Sequence, residues 1–277
     1  MFKFSIPDPG SKESIADWAE LFVALSQEEL SKSELGSYIE ESAGDEPNEA
    51  FVDSVWQELE YRESLYGTQP PFKVAEREVK GAINWNDYPE YMTCLIFSLV
   101  GNSEDSAKSG KLFERITSEA MKNYLQGGAV VFGHPRNIRL RDMCGAMREK
   151  FNCDPPRYRK DRKLDVLAWK PFGDSRASQI VILMQCAAGH NWRSKLPELS
   201  IDAWRRYIHF ASPPIKGFSI PHIISDASSL EEASFDGGII IDRARLYRNI
   251  AYFQEVNQSL KRELLTWCKR RLKEINR

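Results

Sequence analysis

Two neighbouring stretches constrain the fold more than anything else in the chain. Arg159-Lys160-Asp161-Arg162-Lys163-Leu164-Asp165-Val166-Leu167-Ala168-Trp169 runs from a basic cluster into an apolar segment that carries one carboxylate. A turn-like stretch over residues 171–178 follows, and then Gln179-Ile180-Val181-Ile182-Leu183-Met184-Gln185-Cys186, a more apolar segment that ends on Gln185. Short apolar runs bounded by turn residues read as strands, and an unbroken run such as 180–184 belongs to a strand covered on both faces. Two such strands, paired, set Asp165 and Gln185 side by side at one edge of a buried sheet. A carboxylate among Leu164, Val166 and Leu167 is costly to bury unless it is paired or bound to a metal. Mg²⁺ takes oxygen ligands and keeps several waters, so one or two carboxylates and an amide carbonyl suffice to hold it. The plainer alternatives are an aspartate hydrogen-bonded to a turn and a glutamine that merely closes a strand.

The rest of the chain supplies layers for that sheet. In the N-terminal third, Ser14 is placed to cap a helix on which Ile15, Trp18, Phe22 and Leu25 share a face. Pro47 opens a second helix with Phe51, Val55 and Leu59 four apart, ended by Pro70-Pro71, and a third runs over residues 89–99. Gly101-Asn102-Ser103 and residues 106–110 read as a polar linker. Beyond it the spacing predicts a helix over 112–125, a strand over 130–132, a basic helical segment over 138–151, and the two strands above. A helix capped by Ser200 and holding Trp204, Tyr207 and Ile208 comes next, then strands over 215–220 and 238–241, and helix from Leu246 onward. Alternation of this kind indicates an α/β layer around a central sheet. The expected organisation is a helical N-terminal region over 1–105, a core over 106–245, and a C-terminal helix over 246–277 that packs on the core or on a partner.

Charge is distributed unevenly behind a formal net charge of -2. Residues 34–63 hold ten acids against one base, Arg62, whereas residues 157–163 hold five bases beside Asp161. Arg157, Arg159, Lys160, Arg162 and Lys163, with Arg136, Arg139, Arg141, Arg148 and Lys150 upstream, suit a phosphate backbone, which is gripped by cations without reading sequence. A solvated face is the ordinary alternative for any one of them. No run approaches the roughly 18–20 apolar residues that span a bilayer, and Met1-Phe2-Lys3-Phe4-Ser5 is too short and mixed for a secretory signal. Five scattered cysteines point to a reducing compartment, hence the cytoplasm, rather than a disulfide scaffold. The histidines do not pair at i, i+4, and neither a P-loop nor a dinucleotide fingerprint is present. Cys186 with His190 would form a nucleophile pair, although a cysteine in so apolar a strand is more often inert.

The order of a helix with Glu114, a strand with Asp165 and a strand with Gln185 resembles the PD-(D/E)xK phosphodiesterases, and most nearly the Mrr-like branch, in which Gln replaces the second acid. Leu112-Phe113-Glu114-Arg115-Ile116 is similar to that family's first helix, Lys163-Leu164-Asp165-Val166-Leu167-Ala168 to its aspartate strand, and Met184-Gln185-Cys186-Ala187 to its glutamine strand. The similarity covers residues 110 to about 222. It implies a restriction-endonuclease-like core, a central mixed sheet flanked by helices, behind the helical N-terminal region. It also implies a Mg²⁺- or Mn²⁺-dependent DNA endonuclease of a bacterial restriction or anti-phage defence system, acting with companion defence proteins or by self-association. Glu114, Asp165 and Gln185 would then hold the metal. Two departures stand out. The family's lysine, two residues after the glutamine, is Ala187, which makes Lys195 the substitute candidate, with His190 and Arg193 behind it. The glycine expected just before the aspartate strand is Lys163. A catalytically degenerate member of the same fold, binding nucleic acid or scaffolding a partner, is the alternative expectation.

Overall fold

The computed structural model describes residues 4–101, 106–132, 138–156, 162–252 and 257–275. The chain forms two compact units. One comprises Met1–Glu104, Pro221–Asp226 and Asp242–Arg277, and the other Asp105–Ile220 and Ala227–Ile241.

In the first unit, helix α1 (Lys12–Ser26) begins one turn before the expected cap, because the Ser11 hydroxyl accepts the Ser14 amide at 3.2 Å. Strand β1 (Leu30–Ser31) leads into α2 (Lys32–Ala43), which opens on a capping box. The Ser31 hydroxyl takes the Glu34 amide, and the Glu34 carboxylate takes the Ser31 amide. Helix α3 (Glu49–Tyr66) is capped by Asn48, whose side-chain oxygen accepts the Phe51 amide at 2.8 Å. Strands β2 (Phe72–Val74) and β3 (Glu78–Gly81) complete an antiparallel sheet of order β1-β3-β2. Helix α4 (Pro89–Val100) has proline in its first turn, where no amide donor is needed.

The second unit begins with α5 (Ser106–Leu125), so residues 106–110 form the opening turns of a helix and not the expected linker. Strand β4 (Gly128–Val131) follows, then α6 (Leu140–Met147) and β5 (Lys150–Phe151). The basic helix expected over 138–151 is thus cut short, with Arg148 closing α6 at φ 60°. The hairpin is present as β6 (Val166–Lys170) and β7 (Ile180–Cys186). Helix α7 (Ile201–Trp204), capped by Ser200, ends before Tyr207, and Ile208 lies in β8 (Ile208–His209). Strand β9 (Ile215–Ser219), α8 (Ala227–Gly237) and β10 (Ile239–Ile241) complete the unit.

The chain then returns to the first unit as α9 (Arg243–Ala251) and α10 (Gln258–Ile275), the latter against α4. There the lone base of the acidic tract, Arg62, is buried. It donates to Glu58 at 2.6 Å, Asp17 at 2.6 Å and Glu20 at 2.9 Å, and Arg243 donates to the same Asp17 and Glu20 oxygens at 2.6 and 2.9 Å.

The sheet of the second unit has the order β10-β9-β7-β6-β4. Strand β6 is antiparallel to β4 and β7, while β9 runs parallel to β7 and β10 parallel to β9. The fold is therefore α/β with a central mixed sheet. Alternation along the strands divides the side chains between two faces. Leu167, Val181 and Leu183 pack with Leu140, Met147, Leu164 and Trp204, and each such fully buried leucine contributes roughly 1.5–3 kcal/mol. The other face carries α5, which packs along β4, β6 and β7.

Candidate metal centre

Asp165 is fixed by its own backbone. Its amide donates to the Met184 carbonyl at 2.9 Å, and its carbonyl accepts the Phe132 amide at 2.7 Å, so the residue is tied to both neighbouring segments. Its carboxylate accepts the Cys186 amide at 2.8 Å across the hairpin. The regular β6–β7 pairing ends at Val166 opposite Met184, and the Asp165 amide bonds to that same Met184 carbonyl, so Asp165 lies just outside the register, joined to β7 through Met184 and Cys186.

Gln185 is 3% exposed. Its side-chain amide nitrogen donates to Glu198 at 2.7 Å, and its Oε1 has no hydrogen-bond partner among the described residues. Leaving an acceptor buried and unpaired costs about 1–3 kcal/mol. That acceptor lies on the residue before Cys186, whose amide binds the Asp165 carboxylate. An oxygen donor set of this kind, a carboxylate and an unsatisfied amide carbonyl, fits a hard divalent cation.

Glu114 approaches from the other face, on α5. Burial pushes the Cys186 thiol well above its ordinary pKa, and the charges of Asp165 and then Glu114 push it further, so both carboxylates lie near that sulfur. Gln185 and Cys186 are consecutive and stand on opposite faces of β7. Asp165 is thus linked to Cys186 through the latter's amide, while Gln185 projects to the face of β7 opposite Cys186. Among the described residues no group of three or more His, Cys, Asp or Glu side chains is arranged to hold a metal ion. The same environment keeps Cys186 a neutral thiol, which argues against the nucleophile pair with His190.

Ala187 is 2% exposed and its amide donates to the Ser219 carbonyl, so the motif position is a buried residue directly after β7. Lys195 ends the 3₁₀ turn Trp192–Lys195, and its charge is felt at Glu198. Lys111, which the sequence reading passed over, donates to Glu114 at 2.7 Å, and its charge reaches Cys186. A lysine three residues before a helical glutamate was the available signal. Arg157, Arg159 and Lys160, and Arg136 upstream, lie outside the described residues. Arg162 lies over the Tyr207 ring at 5.2 Å, and Lys163 pairs with Glu198 at 3.0 Å. Of the upstream cluster, Arg139 pairs with Asp142 and Arg141 covers the Phe151 ring at 4.5 Å.

Two further features were not visible in the sequence. Arg162 and Lys163 both adopt left-handed backbone, φ 47° and 66°. The position where the resemblance expects glycine therefore has the conformation that favours glycine. The other is Glu198, which joins Gln185 to Lys163. Partial burial works to raise its pKa, but the hydrogen bond from Gln185 and the Lys163 ammonium outweigh this and hold the carboxyl below its usual range, with Lys195 adding to the effect. No described helix is long and apolar enough to cross a membrane. Comparison with family models, with curated proteins and with solved structures returns no match.

Proposed function

We propose that the second unit is a metal-dependent phosphodiesterase core acting on DNA, of the restriction-endonuclease-like kind, in the service of restriction or anti-phage defence alongside companion proteins. The observation that carries this is the buried, unpartnered Gln185 Oε1 on the residue next to Cys186, whose amide binds the Asp165 carboxylate. The order of a helix with glutamate, a strand with aspartate and a strand with glutamine, on a mixed sheet, supports it.

Mg²⁺ or Mn²⁺ would supply an activated water and neutralise charge on the phosphate. Asp165 and Gln185 would hold the cation, with Glu114 reaching toward Asp165 from α5. Lys111, bonded to Glu114, and Lys195, whose charge is felt at Glu198, are candidates to stabilise charge developing on the phosphate. Lys163 and Arg162 stand at the entry to β6, where cations grip a phosphate backbone.

One observation favours a second reading. A buried Ala187 in the lysine position suits a fold that binds nucleic acid or scaffolds a partner without cutting. Incubating supercoiled plasmid with wild type and Asp165→Ala, each with Mg²⁺ or Mn²⁺, separates the two. Metal-dependent nicking that vanishes in the variant supports the phosphodiesterase. Retention of plasmid in a gel shift by both proteins, with no cleavage by either, supports the binding fold.

A further inference from the structure

We infer that Glu198 is a positioning residue for the cation site: its carboxylate grips the Gln185 amide nitrogen and so presents the Gln185 carbonyl oxygen to a divalent cation. The inference rests on the cation reading of the same site. A glutamine amide has two ends of nearly equal size, and rotation about its last bond exchanges them. A ligand needs the oxygen, not the nitrogen, directed at the cation. Nothing in β7 itself selects that rotamer, because Gln185 merely ends an apolar strand.

Glu198 makes the selection. Its Oε2 accepts from Gln185 Nε2 at 2.7 Å and from Lys163 Nζ at 3.0 Å. The exchanged rotamer would set the amide oxygen against a carboxylate oxygen, two acceptors with no proton between them. The observed rotamer instead leaves Oε1 buried and unpartnered, a state with its own cost. A protein that only needed a satisfied strand end would gain by supplying Oε1 with a donor.

Lys163 belongs to the same device. It holds Glu198 from a left-handed backbone at φ 66°, a conformation unfavourable for lysine, and local strain of that kind persists where surrounding contacts over-determine it. The turn that leads into Asp165 and the side chain that orients Gln185 are therefore tied through one carboxylate. Partners that orient a metal ligand typically alter affinity about 10- to 100-fold when removed.

Isothermal titration and the electron paramagnetic resonance of Mn²⁺, with Mn²⁺ as the probe, test this on the full chain. Glu198→Gln should weaken Mn²⁺ binding by about 10- to 100-fold while the circular dichroism and melting temperature hold. Adding Gln185→Glu to Glu198→Gln should restore most of the lost affinity. A carboxylate has two equivalent oxygens and needs no orientation, and the amide introduced at position 198 would donate where the native carboxylate accepted. Should Glu198→Gln not fold, Glu198→Asp keeps the charge but withdraws the acceptor, and weaker Mn²⁺ binding is expected there too. Wild-type affinity in the single variant, or no recovery in the double variant, overturns the positioning role. A wild-type chain that binds no Mn²⁺ overturns it together with the cation site. Glu198-sensitive Mn²⁺ binding without plasmid cleavage overturns the phosphodiesterase reading alone.

Discussion

The carboxylate of Asp165 accepts the backbone amide of Cys186 at 2.8 Å, so the acid just before β6 is held by the neighbouring strand. The two ends of that bond predict a separation of stability from activity. Asp165→Asn keeps an oxygen for the Cys186 amide and should cost about 1 kcal/mol, the difference between a charged and a neutral acceptor. Asp165→Ala leaves the amide unsatisfied and should be less stable still. Both should lose metal-dependent plasmid nicking. Urea melts beside nicking assays check the pair. A nicking-competent Asp165→Asn protein would remove Asp165 from the ion.

The two lysines give the second prediction. Lys111 bonds to Glu114 and is felt at Cys186 with Asp165, whereas Lys195 is felt at Glu198. A cation that stabilises charge at the phosphate should act beside the carboxylates that hold the ion, so Lys111→Met should lower the cleavage rate by about 10²-fold and Lys195→Met by less. The reverse ranking would assign the transition-state cation to Lys195.

Lys163 gives the third. Left-handed backbone costs a residue with a Cβ roughly 1–2 kcal/mol, and glycine escapes it. Lys163→Gly and Lys163→Ala lose the same ion pair with Glu198, an exposed contact worth about 0–1 kcal/mol. The glycine variant should therefore be more stable than the alanine variant by about 1 kcal/mol in urea unfolding. Equal midpoints would mean that the turn relaxes to another conformation.

These particulars separate what the sequence makes legible from what it does not. The β6–β7 hairpin was readable because an apolar run of five with turn residues before it has few other solutions, whereas the departure of Asp165 from the regular pairing left no mark in the pattern. Helix α4 was readable from its proline start and glycine end. Strands β1 and β5 are too short to show a period of two, and α2 alternates too little between apolar and polar to stand out. Residues 106–110 misled because serine, lysine and glycine suggest a linker, while their position at the head of α5 is set by the helix that follows. Glu198 was invisible because nothing local marks an acid in a loop as the partner of a strand glutamine thirteen residues earlier. Arg62 stood out as a single base among ten acids, but nothing local marked it as buried, and the second cation of its cluster, Arg243, comes from a distant helix.

That hub supplies the fourth prediction. Arg243 is fully buried and bonds to Asp17, Glu20 and Tyr66. Removing one partner of a buried ionic network leaves uncompensated charge, which typically costs about 3–5 kcal/mol. Arg243→Met should lower stability by about that amount, measured by urea unfolding. A loss below about 1 kcal/mol would show that Arg62 alone satisfies the carboxylates.

Acid should undo the same cluster first. Burial alone would raise the Asp17 pKa, but the Arg243 and Arg62 guanidiniums outweigh it, and hydrogen bonds from Arg243 and Ser98 hold the carboxyl far below its ordinary 3.8. A carboxyl depressed in the folded state contributes stability above its unfolded pKa and loses it as pH falls through the folded value. The stability attributable to Asp17 is therefore complete at neutral pH and declines below about pH 4. Urea midpoints followed from about pH 6 to about pH 2.5 should drop steeply below about pH 4, and Asp17→Asn should start lower and flatten that limb. A carbon-13 titration that finds the Asp17 carboxyl protonating near its ordinary value in the folded chain would sink the assignment, because the guanidiniums would then not be charging it as the geometry requires.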